Sequence, residues 1–558
     1  MTVLPRDRAM RNGCDSYATG IGFVAVFVLT LFCFLPVLNN TLLHWDDSGY
    51  ILENSHIRTL SFATMRWAFG EYYLNYWAPL TWLSLALDYA VWGVNPVGYH
   101  LTNTILHAFS TGVSFLVGLE LVKALRPKFL QNDTVAPAFG IPLPILCSVL
   151  AALLFGIHPL RVESVAWATE RKDVLGLFFG LPALLCYLRH TQAIDSSQLS
   201  SHRIAYRNYM LSLVFFTLSL ASKSLMITLP LLLMVLDWYP LKRLKSAGVT
   251  AVLIEKAPFL LLSCGAAILT MSAQAKAIEP VDSHTKILNA FKSVVEYMKL
   301  TVWPIDLSPF YVHPGSIPGM PVAYLLPVVV VTTITICCAL AIRKQPVFMA
   351  VWLVYLISLL PFLGFTQVGA QSMAGRFTYL AGLPLAMLLA TGVTRLFSKF
   401  YGSRGAAVSL GAGVVLMLLF NGYLTVREIS FWKDDVTLWT RVIELQPNTG
   451  RAYSQRSQVY RAKRNYPKAL ADISKALAIA ESKGYRAMYE IYLERAGILA
   501  EMGEFDRAIA DYTKALESAT AGARAMVHYA RGVVYQKSGR NDLASEDFRL
   551  SGGSESMR

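Results

Sequence analysis

Two adjacent carboxylates, Asp46 and Asp47, stand in the stretch TLLHWDDSGY (residues 41–50), directly after an apolar segment and beside His44, Trp45 and Tyr50. A carboxylate in that position can take a proton from a hydroxyl as a general base. It can also be a solvated charge at a membrane surface, but a pair set among aromatics and a histidine suggests more. A second group lies in HPLRVESVAWATERKDVL, which holds His158, Arg161, Glu163, Glu170, Arg171, Lys172 and Asp173, seven ionisable residues in sixteen. On a helix begun by Pro159, Glu163, Trp167 and Glu170 share one face. Charges at the end of a span often snorkel or pair, yet this density exceeds what those roles explain. Lys223 stands between two apolar runs, where an interface anchor and a phosphate ligand are about equally good readings. WPIDLSPFYVHPG adds Tyr311 and His313, and GFTQVGAQSMAGRFTYL adds Gln367, Gln371, Arg376 and Tyr379. Bases together with cations that can receive an anionic leaving group are the two halves of a transfer reaction.

The elements that position these residues are membrane helices. Of 558 residues, 54% are hydrophobic and only 15% charged, with mean hydropathy +0.44; a soluble domain carries about 25% charged residues. The net charge of +14 is spread over short loops between apolar runs. That orients a polytopic protein by the positive-inside rule and excludes the basic face of a nucleic-acid binder. The seven cysteines lie almost all in or beside apolar runs and form neither a disulfide framework nor a zinc site. Residues 1–20 are a polar cytoplasmic arm with Arg6, Arg8 and Arg11. Residues 21–38 read as a signal anchor rather than a signal peptide, because no small-residue cleavage site follows. Further spans are expected at 99–125, 141–157, 166–188, 209–220, 226–238, 251–271, 322–342, 347–363, 377–396 and 406–424, about eleven in all. Every basic loop then lies on one side. Residues 288–302, with Lys292, Glu296 and Lys299, read as a lateral or re-entrant helix. The first outer loop, 39–98, is aromatic and amphipathic. It suits interfacial helices whose aromatics anchor at the membrane surface, with Tyr76 or Trp77 able to stack on a sugar.

The membrane domain, 21–427, gives way to a polar, Ala-rich tail, 428–558. Three segments, about 450–484, 489–522 and 525–558, resemble one another. Ala469, Ala508 and Ala544 fall at matching offsets, close to the period of a tetratricopeptide repeat. An odd number of spans puts this tail on the outer side, with Asp46.

The ordered set WDD (45–47), HPLRVESVAWATERKD (158–173), SK (222–223), WPIDLSPFYVHPG (303–315), RFTYL (376–380) and WKDDVTLW (432–439) resembles the GT-C glycosyltransferases that use polyprenyl-phosphate sugars. Within them it is similar to the transmembrane O-mannosyltransferase family with tetratricopeptide repeats. The likeness runs along nearly the whole chain. It departs at Ser224, Gly375 and Ala381, where related sequences often carry an acidic residue, Asp and Pro. The resemblance implies an all-α fold: a polytopic GT-C membrane domain followed by a helical solenoid. It implies an inverting transfer of a sugar, mannose being the one suggested, from a polyprenyl-phosphate donor to a hydroxyl of a protein or peptide acceptor at the non-cytoplasmic face. In that scheme Asp46 is the base, with Asp47 or Glu163 orienting acceptor or sugar. Arg171, Lys223 and Arg376 bind the carrier phosphate, and His158, Asp173, Tyr311, His313 and Tyr379 line the substrate. Some GT-C enzymes use a divalent metal, which here would bridge Asp47, Glu163 and phosphate. The membrane would be a bacterial inner membrane, with the repeats periplasmic, or that of the endoplasmic reticulum.

Three alternatives stay open on sequence. The acceptor could be a lipid or glycan. The chain could be a membrane-tethered repeat scaffold, which has no need of Asp46 or the ERKD charges. It could be a transporter, which would place ionisable groups at mid-span in both halves rather than at one face.

Overall fold

The computed structural model describes residues 5–129, 142–194, 199–317, 319–400, 403–483 and 488–552. Met1–Leu4, Ile141, Gly484 and 553–558, which the readings above touch, lie outside these residues, as do the side chains of Arg6, Arg8 and Arg11. The chain divides into two compact units, Met1–Lys433 and Asp434–Arg558.

The first unit is a helical assembly. α1 (Pro5–Phe34) is followed by the outer-loop helices α2 (Phe62–Gly70) and α3 (Pro79–Trp92), then α4 (Pro96–Phe129), α5 (Leu143–Gly156) and the short α6 (Val162–Ala166). α7 (Arg171–Ile194), α8 (Leu199–Ser222), α9 (Leu229–Trp238), the short α10 (Arg243–Ser246), α11 (Val249–Gln274) and α12 (Ser283–Val302) come next. α13 (Val322–Ala341), α14 (Pro346–Leu359), α15 (Thr378–Lys399) and α16 (Arg404–Phe431) complete it. Among the described residues eight helices are long and apolar enough to cross a membrane, and a pair bent by 57°, Leu143–Gly156 with Pro159–Ala166, makes a ninth when counted as one span. Two shorter apolar helices, Ser224–Trp238 and Pro346–Phe362, match the remaining expected spans. This is an integral membrane protein. α12 is not among the candidate spans. It is amphipathic, capped by the Asp282 carboxylate on Thr285 N–H at 2.8 Å, and buries Leu288, Val294 and Tyr297.

Close helix approach depends on small residues. Ser219 and Ser212 of α8 donate to the carbonyls of Gly176 and Ala183 in α7 at 2.6 and 2.7 Å. A Cβ on Gly180 would stand 2.6 Å from Met226 Cγ, so glycine lets the turn ahead of α9 pack there. The outer loop builds its own aromatic core. Trp82 and Tyr50 are fully buried, and Trp67 stacks on His56 at 4.4 Å. Several aromatics expected at the membrane surface are therefore packed inside the loop.

One expectation changes. Glu163, Trp167 and Glu170 do not share a continuous helix. α6 stops at Trp167, which is extended (φ −84°, ψ 116°), and a 3₁₀ turn, Ala168–Glu170, leads into α7. Buried side chains satisfy the freed backbone. Asn103 Nδ2 lies 3.3–3.4 Å from the carbonyls of Val165, Trp167 and Ala168. Asp47 Oδ1 accepts from Thr169 N–H at 3.0 Å. Irregular backbone at membrane depth persists only with such partners.

The second unit opens with α17 (Asp435–Leu445). Three antiparallel pairs follow: α18 (Gly450–Ala462) with α19 (Tyr466–Ser482), α20 (Tyr489–Glu501) with α21 (Phe505–Ser518), and α22 (Ala521–Lys537) with α23 (Asn541–Leu550). The third pair begins at Ala521, ahead of the expected 525. Ala469, Ala508 and Ala544 are buried where paired helices meet. Each pair repeats one ion pair, Arg456–Asp472, Arg495–Asp511 and Arg531–Asp547, all at 2.7 Å. Each turns at a left-handed residue, Arg464, Gly503 and Gly539, which recur at the same intervals as the alanines.

Candidate active site

The loop carrying Asp46 and Asp47 is held in place by Asp47. Its Oδ2 accepts from Leu43 N–H at 2.8 Å and its Oδ1 from Thr169 N–H at 3.0 Å, with no solvent exposure. Burial pushes this carboxyl up to about 7, against the two N–H donors that favour the charged form. Asp47 thus fastens the loop to the break before α7. The chain then enters a single π-helical turn, Ser48–Leu52, of the kind that recurs at functional sites. Asp46 is only half-buried, and its carboxylate has no hydrogen bond or ion pair among the described residues. Trp45 stacks on Trp167 with ring centroids 4.5 Å apart, and the Arg376 guanidinium lies 5.4 Å from the same indole.

Behind this loop is an alternating cluster of charges. Glu170 sits at its centre, 3.3 Å from Lys172, 3.2 Å from Lys223 and 3.4 Å from Arg376. Lys223 also meets Asp173 at 2.6 Å. Arg376 pairs with Glu163, whose carboxylate accepts from both the guanidinium and the Arg376 backbone N–H. Its other terminal nitrogen donates to Gln371 Oε1 at 2.8 Å. A Cβ on Gly375 would lie 2.8 Å from Glu163 Oε2. Any side chain at this position would crowd that carboxylate.

Lys172, Lys223 and Arg376 border one cavity of about 290 Å³, together with Tyr76, Trp77 and Gln371. The Lys172 ammonium rests 4.8 and 4.7 Å from the ring centres of Tyr50 and Tyr76. Although it faces Glu170, it makes no hydrogen bond among the described residues, so a buried donor is left for a ligand to satisfy. Lys172 has the same claim on an anion as Lys223 and Arg376. Sequence reading did not single it out, because within ERKD nothing marks which cation turns inward. The aromatic pair beneath it, Tyr50 and Tyr76, was the available signal.

The remaining site residues are distributed as follows. Arg171 does not reach the cavity. Its guanidinium is committed to Asp88 at 2.5 Å, Ser84 at 2.6 Å, the Tyr99 carbonyl at 3.0 Å and Asn103. His158 caps a 3₁₀ turn, with Nδ1 accepting from Leu160 N–H at 3.2 Å and Nε2 3.0 Å from the Thr301 carbonyl. The Tyr379 hydroxyl is buried 2.7 Å from His107 Nδ1. Tyr311 and His313 belong to a small clasp. There β1 (Tyr311–Val312) pairs antiparallel with β2 (Gln371–Met373), Tyr311 opposite Met373, and His313 N–H donates to the Ala370 carbonyl at 2.9 Å. The clasp aims Gln371 at Arg376. Asp47 gives its carboxylate to two backbone N–H groups and Glu163 gives its own to Arg376. Among the described residues no three His, Cys, Asp or Glu gather to hold an ion.

Arg171→Ala is therefore expected to act on stability. It strands Asp88 inside the protein, and breaking a buried pair typically costs about 3–5 kcal/mol. Thermal unfolding in detergent should show a large loss, while the folded fraction keeps an unchanged donor KM. A raised KM with normal stability would return Arg171 to the phosphate site.

A tetratricopeptide-repeat family model matches residues 489–521. The chain is 36% identical over 115 residues to the protein O-mannosyl-transferase Tmtc1 of Drosophila melanogaster, covering 20% of this chain and 11% of that one. It is 36% identical over 114 residues to human TMTC2, with the same coverage of both chains. With human TMTC1 it shares 28% identity over 197 residues, 33% of this chain and 20% of that one. The match thus spans about a tenth to a fifth of the curated relatives' length. The solved structure of ArnT from Cupriavidus metallidurans bound to undecaprenyl phosphate aligns loosely, with a TM-score of 0.35 and 14% identity over 78% of this chain and 80% of that one. Over a fifth to a third of its length, this membrane protein with C-terminal tetratricopeptide repeats is similar in sequence to the TMTC protein O-mannosyl-transferases.

Proposed function

We propose that the protein is an inverting GT-C glycosyltransferase that moves a sugar from a polyprenyl phosphate to a hydroxyl of a protein acceptor at the non-cytoplasmic face, with mannose the first sugar to test. The observation that carries this is the cavity bordered by Lys172, Lys223 and Arg376 close behind the loop of Asp46, whose charge acts on Lys172. Transfer from a lipid phosphate puts negative charge on the departing phosphate, and pre-placed cations stabilise it there. A base on the other side of the anomeric carbon takes the acceptor proton. One displacement between them inverts the centre. Asp46 is the proposed base, since it alone of the aspartate pair has an uncommitted carboxylate. Glu163, Glu170 and Asp173 hold the three cations in position before the donor arrives. Tyr76 and Trp77 offer ring faces to the sugar. The repeats would hold a peptide acceptor, in a periplasm or an equivalent lumen. The deciding experiment incubates purified protein with labelled polyprenyl-phosphate mannose, glucose and galactose, and identifies acceptors by mass spectrometry. Transfer to protein hydroxyls supports the reading; transfer only to lipid or glycan would replace the acceptor, and no transfer from any donor would reject the activity.

Eleven spans that begin with a cytoplasmic N-terminus leave the repeats on the outer side. An alkaline phosphatase fused after Arg558 should therefore be active and a cytoplasmic reporter silent. The reverse pattern would remove the repeats from the face of Asp46.

A further inference from the structure

A second cavity has no part in the chemistry above. It is an apolar slot among α4, α9, α14 and α15, lined by side chains such as Met226, Leu232, Val354 and Leu383. Two of its polar side chains are already engaged: Ser114 Oγ donates to the Thr111 carbonyl at 2.7 Å, and Thr391 Oγ1 lies 3.7 Å from Cys147 Sγ. Among the described residues the slot shares no lining residue with the cavity of Lys172, Lys223 and Arg376. It does share Leu125, Tyr239, Val347, Leu388 and Thr391 with a third cavity, which adds Lys344 and Arg395. Both cations are exposed and belong to the basic loops that the span order proposed above puts on the cytoplasmic side. The slot is therefore continuous with a cationic inner mouth, not with the outer site.

Its length matches one leaflet. Along α15 it runs from Leu380 to Thr391, eleven residue steps of about 1.5 Å, or about 16 Å. Half of a hydrocarbon core of about 30 Å is nearly the same. Basic pockets between helices at the cytoplasmic side suit lipid phosphates. We propose that this cleft holds an anionic phospholipid of the inner leaflet, one acyl chain in the slot and the headgroup phosphate on Lys344 and Arg395. A donor polyprenyl chain would instead need a path open to the outer cations.

The test uses the purified full-length protein and native mass spectrometry, with phosphatidylglycerol and phosphatidylethanolamine of identical chains at equal concentration. Two basic residues near an anionic headgroup correspond to a preference of about thirtyfold for phosphatidylglycerol. Lys344→Ala with Arg395→Ala should remove that preference and leave retention of phosphatidylethanolamine unchanged. Both residues are exposed, and unfolding temperature checks that the variant is intact. Leu388→Trp should lower retention of both lipids by filling the slot. Equal retention of the two lipids by the wild type would overturn the proposal. So would competition in which undecaprenyl phosphate displaces phosphatidylglycerol from the wild type but not from Leu388→Trp, which would assign the slot to the carrier.

Discussion

Asp46→Asn should insert, fold and bind the lipid donor normally, and lose transfer by about 10²–10⁴-fold, the usual worth of general-base assistance. The substitution keeps size and polarity and removes basicity. Because Asp46 is half-buried and its carboxylate has no hydrogen bond or ion pair among the described residues, no partner is stranded. Asp47→Asn should behave differently. Both Asp47 oxygens accept backbone N–H groups, and an asparagine has one acceptor oxygen to offer. Its amide would face the other N–H, at a cost of about 1–3 kcal/mol for an unmade buried hydrogen bond. There is also a pH signature. The folded-state pKa of Asp47 lies near 7, above its ordinary 3.8, through burial. Its contribution to stability is thus complete below 3.8 and is lost as pH rises through about 7. The Asn variant should lack this dependence. Initial rates with labelled donor, and unfolding temperatures across that range, separate the two roles. A fully active Asp46→Asn beside a dead but normally stable Asp47→Asn would move the base by one residue.

Much of the fold follows from local rules. Apolar runs of span length locate the membrane helices, since bilayer thickness acts residue by residue. The repeat pattern does the same for the second unit, because the buried alanines are where paired helices must approach. The site is less legible. Helical periodicity places Glu163, Trp167 and Glu170 on one face, but the helix breaks at Trp167. What breaks it lies far away in sequence: Asn103 and Asp47 supply the hydrogen bonds that make the irregular turn affordable. Arg171 and Lys172 are neighbours of similar character, and only tertiary packing sends one to Asp88 and the other to the cavity. Sequence can register that several cations lie near a span end. It does not register which of them already have a buried carboxylate to themselves.

Arg376 offers the sharpest test of the phosphate site, because it is the cation whose present partners are best defined. Its guanidinium holds Glu163, faces Glu170 and donates to Gln371, and the residue lines the cavity. Arg376→Ala should reduce kcat by about 10²–10³-fold, the typical effect of removing one donor that stabilises transition-state charge. It also leaves Glu163 buried with only a backbone N–H, so stability will fall as well. Pairing the change with Glu163→Gln removes that stranded charge, since a neutral amide tolerates burial better. The double variant should recover stability without recovering turnover. Arg376→Lys keeps the charge but not the fork. It can satisfy Glu163 or the phosphate, and should fall between wild type and Arg376→Ala in kcat. Single-turnover rates at saturating donor separate this chemical loss from weakened binding. If the double variant regains wild-type turnover along with its stability, Arg376 serves only to neutralise Glu163, and the leaving phosphate must be received by Lys172 and Lys223 alone.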